Sequence, residues 1–307
     1  MNVHEILEDF FFIERGYLNG NHFVYRSSSP VLIDTGYIAD FADTETAITG
    51  LGVRLSEVSL IVNTHTHCDH IGGNSAIQQL SGCDIALHRI GKSFIDTRDD
   101  WSTWWRYYNQ EARFFQCTRS LEDGDCISIG PYRLDVIHTP GHASDGIVLY
   151  DPQEKILLSS DTLWENDVAV MTLRIEGSSA LFQMQDSLEK IEALDVKRVY
   201  PGHGAPFDDI KQALERSRNK IQAYLEDRTL IGKDLLKKII MYTLLMKKGM
   251  REDALFPYLM DTIWYRETVD LYFHRDYQGM YRETMDGLLR KDVVRWDQGI
   301  LLPRVRP

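Results

Sequence analysis

The sequence predicts a layered α/β (α+β) sandwich followed by a helical C-terminal region, and three observations predict it. Between residues 10 and 88, short apolar runs of strand length alternate with helical patterns, as in a sheet covered by helices. Several apolar runs end in clusters of His, Asp, Ser, Gly and Pro, residues that suit sharp loops at a sheet edge. After Pro206 the pattern changes to long stretches of mixed charged and apolar residues with helical periodicity.

Taken in order, Phe11-Phe12-Ile13, His22 to Tyr25 and Val31-Leu32-Ile33 predict an antiparallel meander, the first two runs being joined through Asn19-Gly20-Asn21. Residues 40–50 predict a helix, Val58 to Val62 a buried strand, Asn74 to Leu80 a helix entered through Gly72-Gly73, and Ile85 to His88 another strand. Residues 89–120 interrupt this alternation with Trp101, Trp104, Trp105, Tyr107, Tyr108, Phe114 and Phe115, interleaved with Arg98, Arg106 and Arg113. Their spacing predicts one or two helices, which either bury against the sandwich or a second subunit of a homodimer or form a lid or pocket wall. Arg133 to Ile137, Ile147 to Tyr150, Ile156 to Leu158 and Arg198 to Tyr200 predict further strands. Helices are then expected over 208–226, 232–248, 252–273 and 277–290, with a hairpin from Val293 to Leu302 around Asp297-Gln298-Gly299. Helices followed by a hairpin read as a winged-helix-like tail. The expected units are therefore residues 1–206, with the aromatic insert at 89–120, and residues 207–307.

Composition narrows the function classes. The net charge of −12 disfavours an extended phosphate-binding face, because nucleic-acid affinity is built largely from Lys and Arg. No apolar run is long enough to span a membrane, and the first residues lack the pattern of a signal peptide, so a cytoplasmic location is expected. Cys68, Cys83, Cys117 and Cys126 show no paired metal-binding spacing and are expected to be free thiols.

The most specific feature is His65-Thr66-His67-Cys68-Asp69-His70, directly after the strand at 58–62. In an extended segment residues two apart share a face, so His65 and His67 can grip one ion while Asp69 and His70 reach another. His142 in Thr139-Pro140-Gly141-His142, Asp161 in Ser159-Ser160-Asp161 and His203 in Pro201-Gly202-His203-Gly204 each follow an apolar strand in the same way. Imidazole and carboxylate donors in this number suit two divalent ions sharing a carboxylate. His4, His22, His88, His138 and His274 are read as structural or surface residues.

These motifs, with Asp34 in Asp34-Thr35-Gly36, run in the order found in the metallo-β-lactamase-fold hydrolases, which this chain resembles, and among them the glyoxalase II-like branch. The resemblance implies a four-layer αββα sandwich with the metals at one edge. It implies His65, His67 and His142 on a first ion, Asp69, His70 and His203 on a second, Asp161 bridging, and Asp34 behind them holding a loop or a histidine tautomer. Two divalent ions, zinc first with Fe or Mn suiting the same donors, would lower the pKa of a bridging water from about 15.7 toward about 7 and so supply hydroxide to attack an acyl carbon. Asp69 is the candidate proton shuttle to the leaving group. Asp161 stands where the zinc β-lactamases carry cysteine, which turns the expectation to a thioester or related small ester as the small-molecule substrate. Lactone hydrolysis, a mononuclear-iron thiol or persulfide dioxygenase and a metal-dependent ribonuclease are the alternatives.

Overall fold

The computed structural model describes all residues 1–307. A seven-stranded sheet is formed by β1 (Asn2–Leu7), β2 (Phe10–Glu14), β3 (His22–Tyr25), β4 (Val31–Ile33), β5 (Leu60–Val62), β6 (Asp84–His88) and β7 (Arg119–Leu121), in that spatial order. Its first four strands are the antiparallel meander, and from β4 onward the pairings are parallel. Parallel neighbours need crossovers, supplied by α1 (Phe41–Gly50), α2 (Cys68–Ile71) with α3 (Asn74–Ser81), and α4 (Arg89–Thr97) with the aromatic segment after it. A second sheet, of β8 (Cys126–Ile129), β9 (Tyr132–His138), β10 (Ile147–Asp151), β11 (Ile156–Ser160) and β12 (Arg198–Pro201), carries α5 (Leu173–Glu176) and α6 (Ala180–Glu192) in its last crossover.

Apolar residues alternate between the two faces of these strands, and this places the layers. Phe12, Phe23, Ile33 and Val62 from the first sheet meet Leu134, Val136, Ile147 and Leu158 from the second in one buried cluster. Their neighbours Val24, Leu32 and Ile61 face the other way, onto Ile48 of α1 and Ile77 of α3. On the far side Val148, Leu157 and Val199 pack on Leu188 of α6 and on Leu214 of α7 (Ile210–Glu226). The result is the αββα sandwich. Because both faces of the central strands are covered, they read as continuous apolar runs rather than alternating ones.

The C-terminal region continues with α8 (Thr229–Met246), β13 (Met250–Arg251), α9 (Glu252–Asp261), α10 (Ile263–Phe273), α11 (Tyr277–Arg290), β14 (Val294–Asp297) and β15 (Ile300–Pro303). The last two strands form the expected hairpin, and β13 adds to it as a third strand. Two expectations are corrected. The single helix over 252–273 is two, because Thr262 takes an extended conformation (ψ 145°) and its hydroxyl donates to the Leu259 carbonyl, a side-chain bond that competes with the helix ladder. The helices expected through 89–120 reduce to α4. Beyond it, residues 101–109 form consecutive turns, with Trp104 and Asn109 at positive φ. The sequence reading also missed β1, β7, β8 and α6.

The aromatic segment buries within its own chain. Trp104, Tyr107 and Tyr108 join Leu236 and Ile240 of α8 and Trp264 of α10 in one cluster, which ties the C-terminal helices to the insert. Trp264 is fully buried at the centre of that cluster. Trp264→Ala is expected to destabilise the protein by about 3–5 kcal/mol, read by chemical denaturation, since a cavity of that size cannot close.

Candidate functional site

The sequence-predicted site residues lie together at one edge of the sandwich, where the ends of β4, β5, β11 and β12 and the loop after β9 converge. All eight, Asp34 and the seven expected metal ligands, are buried or nearly so. His65 and His67 sit in the extended loop after β5 with ring centroids 4.4 Å apart, and Asp69 and His70 follow on the single-turn helix α2. Three groups have donor atoms within 4.8 Å of one another and could hold a metal ion: His65, His67 and His142; His65, His70 and Asp161; Asp69, His70 and His203. Asp161 Oδ2 lies between them, 3.4 Å from His142 Nε2, 3.7 Å from His70 Nε2 and 3.9 Å from His203 Nε2.

The imidazoles are oriented from behind. His70 Nδ1 is 2.8 Å from Asp34 Oδ2, which also receives the Thr64 hydroxyl, while His142 Nδ1 donates to the Val170 carbonyl at 2.8 Å. His203 Nδ1 lies 3.3 Å from the Gly16 carbonyl, and His65 Nδ1 lies 3.3 Å from Ser160 Oγ. Holding Nδ1 in this way turns Nε2 toward the centre. The Nε2 atoms of His65, His67, His70 and His142 are buried there without a hydrogen-bond partner. Buried polar atoms are ordinarily paired, and four convergent unpaired imidazole nitrogens beside two carboxylates form a donor set that fits divalent first-row metals.

Backbone geometry is committed to the same end. Asp34 and Ser160, at the ends of β4 and β11, have φ of 57° and 47°, a left-handed conformation that is costly for a residue with a side chain. A Cβ on Gly20 would stand 2.6 Å from His70 Cε1, and one on Gly202 would overlap Asp161 Oδ1. Both positions therefore need glycine.

Electrostatics separate the histidines. Burial, reinforced by neighbouring imidazoles, holds His65 and His67 well below the ordinary histidine range. Burial acts the same way on His70, but Asp69, Asp34 and Asp161 outweigh it and hold that ring well above its usual value. Burial opposes ionisation of Asp69 and Asp161 too, yet His70 and His203 keep both carboxyls well below the usual carboxylate range.

Above these groups lies a cavity of about 60 Å³ whose walls come from regions without a sequence motif. Trp104 and Tyr108 come from the aromatic segment, Trp164 follows Asp161, and Lys238, Ile239 and Tyr242 come from α8. The Trp104 indole lies 3.8 Å from the His67 ring, centroid to centroid. The Tyr242 hydroxyl donates to Asp69 Oδ2 at 2.9 Å, and His203 Nε2 is 3.2 Å from the same oxygen. Trp104 and Tyr108 of the aromatic insert thus pack in the buried C-terminal cluster and also line the cavity. Sequence reasoning missed Tyr17, Trp164, Lys238 and Tyr242; only Trp164 carried a signal, being three residues past Asp161. Cys68 is buried among Leu18, Tyr37 and Ile71, away from the donor cluster. His88 and His138 stack on each other at 4.0 Å, and His22 is buried in β3.

An αββα sandwich with His and Asp donors gathered at one edge defines a metal-dependent hydrolase. The chain belongs to the metallo-beta-lactamase superfamily, whose family model matches residues 16–203. Among its relatives, the bovine (Bos taurus) acyl-coenzyme A thioesterase MBLAC2 is 27% identical over 233 residues, covering 67% of this chain and 82% of that one. A hydroxyacylglutathione hydrolase from Rhodospirillum rubrum is 32% identical over 158 residues, about half of each protein (51% and 52%). A metallo-beta-lactamase family protein from Thermus thermophilus superposes with a TM-score of 0.65 at 21% identity, covering 98% of this chain and all (100%) of that structure, so the likeness in fold extends through the C-terminal region. No helix is long and apolar enough to cross a membrane.

Glu176 gives a test of the electrostatics. Burial is the largest influence on its carboxyl and, with Asp145 nearby, pushes it up to about 8 against the opposing N–H bonds from Trp104 and Ser144. The folded chain thus binds this proton more tightly than the unfolded chain does. The resulting stabilisation is fully present below the ordinary value of 4.5 and is lost as pH rises through about 8. In metal-free protein, the stability of wild type relative to Glu176→Gln is expected to fall between about pH 5 and about pH 9, measured by urea denaturation.

Proposed function

We propose that this metallohydrolase cleaves a thioester or a related small ester by adding water to the acyl carbon. The observation that carries the reading is the convergence of four unpaired imidazole nitrogens on Asp69 and Asp161 at the floor of an aromatic-walled cavity. The relatives named as acyl-coenzyme A thioesterase and hydroxyacylglutathione hydrolase support the thioester class.

In this reading His65, His67 and His142 would hold one ion and Asp69, His70 and His203 the other, with Asp161 shared, and zinc is the proposed metal. Bound divalent ions supply Lewis acidity, which activates water near neutral pH and polarises the acyl carbonyl. The chain's own residues do the rest. Asp34, the Val170 carbonyl and the Gly16 carbonyl fix the imidazole orientations. Trp104, Trp164 and Tyr242 line the cavity, limit its water and present the acyl group to the floor. Asp69, gripped by Tyr242 and His203, is placed to take a proton from the attacking water and return it to the departing thiolate, which leaves as the thiol. In the proposed division residues 1–206 would supply the metal ligands and the winged-helix-like region 207–307 one cavity wall through α8, although α7 of that region packs on the second sheet of the sandwich.

Metal analysis followed by a panel of thioester, lactone and β-lactam substrates on the same preparation tests the reading. About two zinc per chain and preferential thioester cleavage are expected. One iron per chain with oxygen uptake would replace hydrolysis by thiol oxidation. Asp69→Asn is expected to abolish turnover, and full turnover at wild-type metal content would remove its proton-transfer role. Tyr242→Phe, which deletes one hydroxyl from behind Asp69, is expected to weaken metal binding by about 10–100-fold with an unchanged circular dichroism spectrum. Competition with a chromophoric chelator measures it.

A further inference from the structure

The backbone at Trp104 has φ of 70°, a region that bulky residues rarely enter, and the side chain is nearly fully buried. Three hydrogen bonds hold it. Its backbone N–H donates to the Trp101 carbonyl at 2.9 Å, its own carbonyl accepts from Tyr108 N–H at 3.0 Å, and its indole N–H donates to Glu176 Oε1 at 2.6 Å. The other oxygen of Glu176 accepts the Ser144 N–H at 2.8 Å, two residues beyond His142. Residues 170–176 thereby grip the His142 loop at two points, Val170 to His142 and Glu176 to Ser144, and the second point also fixes the indole. The indole centroid lies 3.8 Å from that of His67 and 5.0 Å from that of His142, and the side chain lines the cavity beside both rings.

Two further facts restrict what can enter beneath it. The cavity, at about 60 Å³, has room for only a handful of waters. Its one lysine, Lys238, has three donors, and Asp234, Asp167 and the Val168 carbonyl take them. No lysine or arginine of the cavity wall is therefore left free to pair with an acidic group at the end of an acyl chain.

We propose that Trp104 is a specificity-determining residue that sets the depth of a pocket for short, uncharged acyl groups, with Glu176 as the positioning residue that holds it. This rests on the acyl-hydrolysis reading above. In it, the carbonyl carbon meets the His and Asp floor while the chain of the acyl group ends against the indole face, and a longer or charged chain collides or remains unpaired.

The test uses acetyl, butyryl, octanoyl and succinyl thioesters of one small thiol with the metal-loaded full chain. Wild type is expected to favour acetyl and butyryl over octanoyl and over succinyl by about tenfold or more in kcat/KM. Trp104→Leu and the milder Trp104→Phe are expected to raise the octanoyl-to-acetyl ratio, by about tenfold for Leu and less for Phe, mainly through KM. Glu176→Leu is expected to move the ratio in the same direction, and Glu176→Gln, which keeps one acceptor, by a smaller amount. A wild-type preference for octanoyl or succinyl, or a ratio that none of these variants moves, overturns the proposal. Non-hydrolysable S-(2-oxoalkyl) thioether analogues of the same chain lengths, titrated calorimetrically, report the length preference without turnover. Selective binding of the short analogues without cleavage of any thioester would sink the hydrolase reading and keep the pocket. Cleavage without length selectivity would do the reverse.

Discussion

Seven ionisable side chains share one small buried volume, and much of the architecture answers the cost of putting them there. Taking a carboxylate or an imidazolium out of water is expensive unless each is paired. The carboxylates meet this through His70 and His203, and His70 meets it through Asp69, Asp34 and Asp161. His65 and His67, pushed toward the neutral form by the same burial, keep Nε2 atoms to which nothing in the chain donates a hydrogen bond. Burial acts on every one of these imidazoles, and the balance of carboxylates around each ring decides its direction, so that His70 and His203 are raised while His142, beside Asp161, stays below the ordinary range.

The strained positions follow from this convergence. Asp34 and Ser160 sit in left-handed conformations at the ends of two strands in different sheets, and each delivers an oxygen to the back of an imidazole. Gly20 and Gly202 clear the space that His70 and Asp161 occupy. Local strain of about 1–3 kcal/mol at a non-glycine position persists only where surrounding packing over-determines it. Here the sandwich core supplies that packing, with Ile33 and Leu158 buried just before the two strained residues.

Cover for the site comes from two elements that are distant in sequence and joined in one apolar cluster. The turns at 101–109 and the helix α8 meet through Tyr108, Leu236 and Ile240, and from this joint Trp104 and Tyr242 reach opposite parts of the floor. A change in how α8 packs is therefore transmitted to Asp69 through a single hydroxyl. The family model ends at residue 203, so Tyr242 and Lys238 belong to a part of this chain that the shared pattern does not describe.

The sequence by itself determined the inner strands β2 to β6 and β9 to β12 and the edge at which the polar clusters gather, and it marked His65, His67, Asp69, His70, His142, Asp161, His203 and Asp34 as one candidate group. These are local signals: a buried strand is an apolar run, and a loop that must turn sharply at its end carries Gly, Pro or Ser beside the functional residue. Even so, of the one or two helices expected through the insert only α4 forms, ahead of Trp101, because interleaved Trp and Arg have helical spacing whether or not a helix forms. Only the tertiary structure decided which walls enclose the site. Tyr242 lies on a helix 173 residues from Asp69, and Glu176 is 72 residues from Trp104. Nothing in the neighbourhood of either residue encodes its partner, since such contacts exist only once the C-terminal helices have packed on the insert and the cavity has closed.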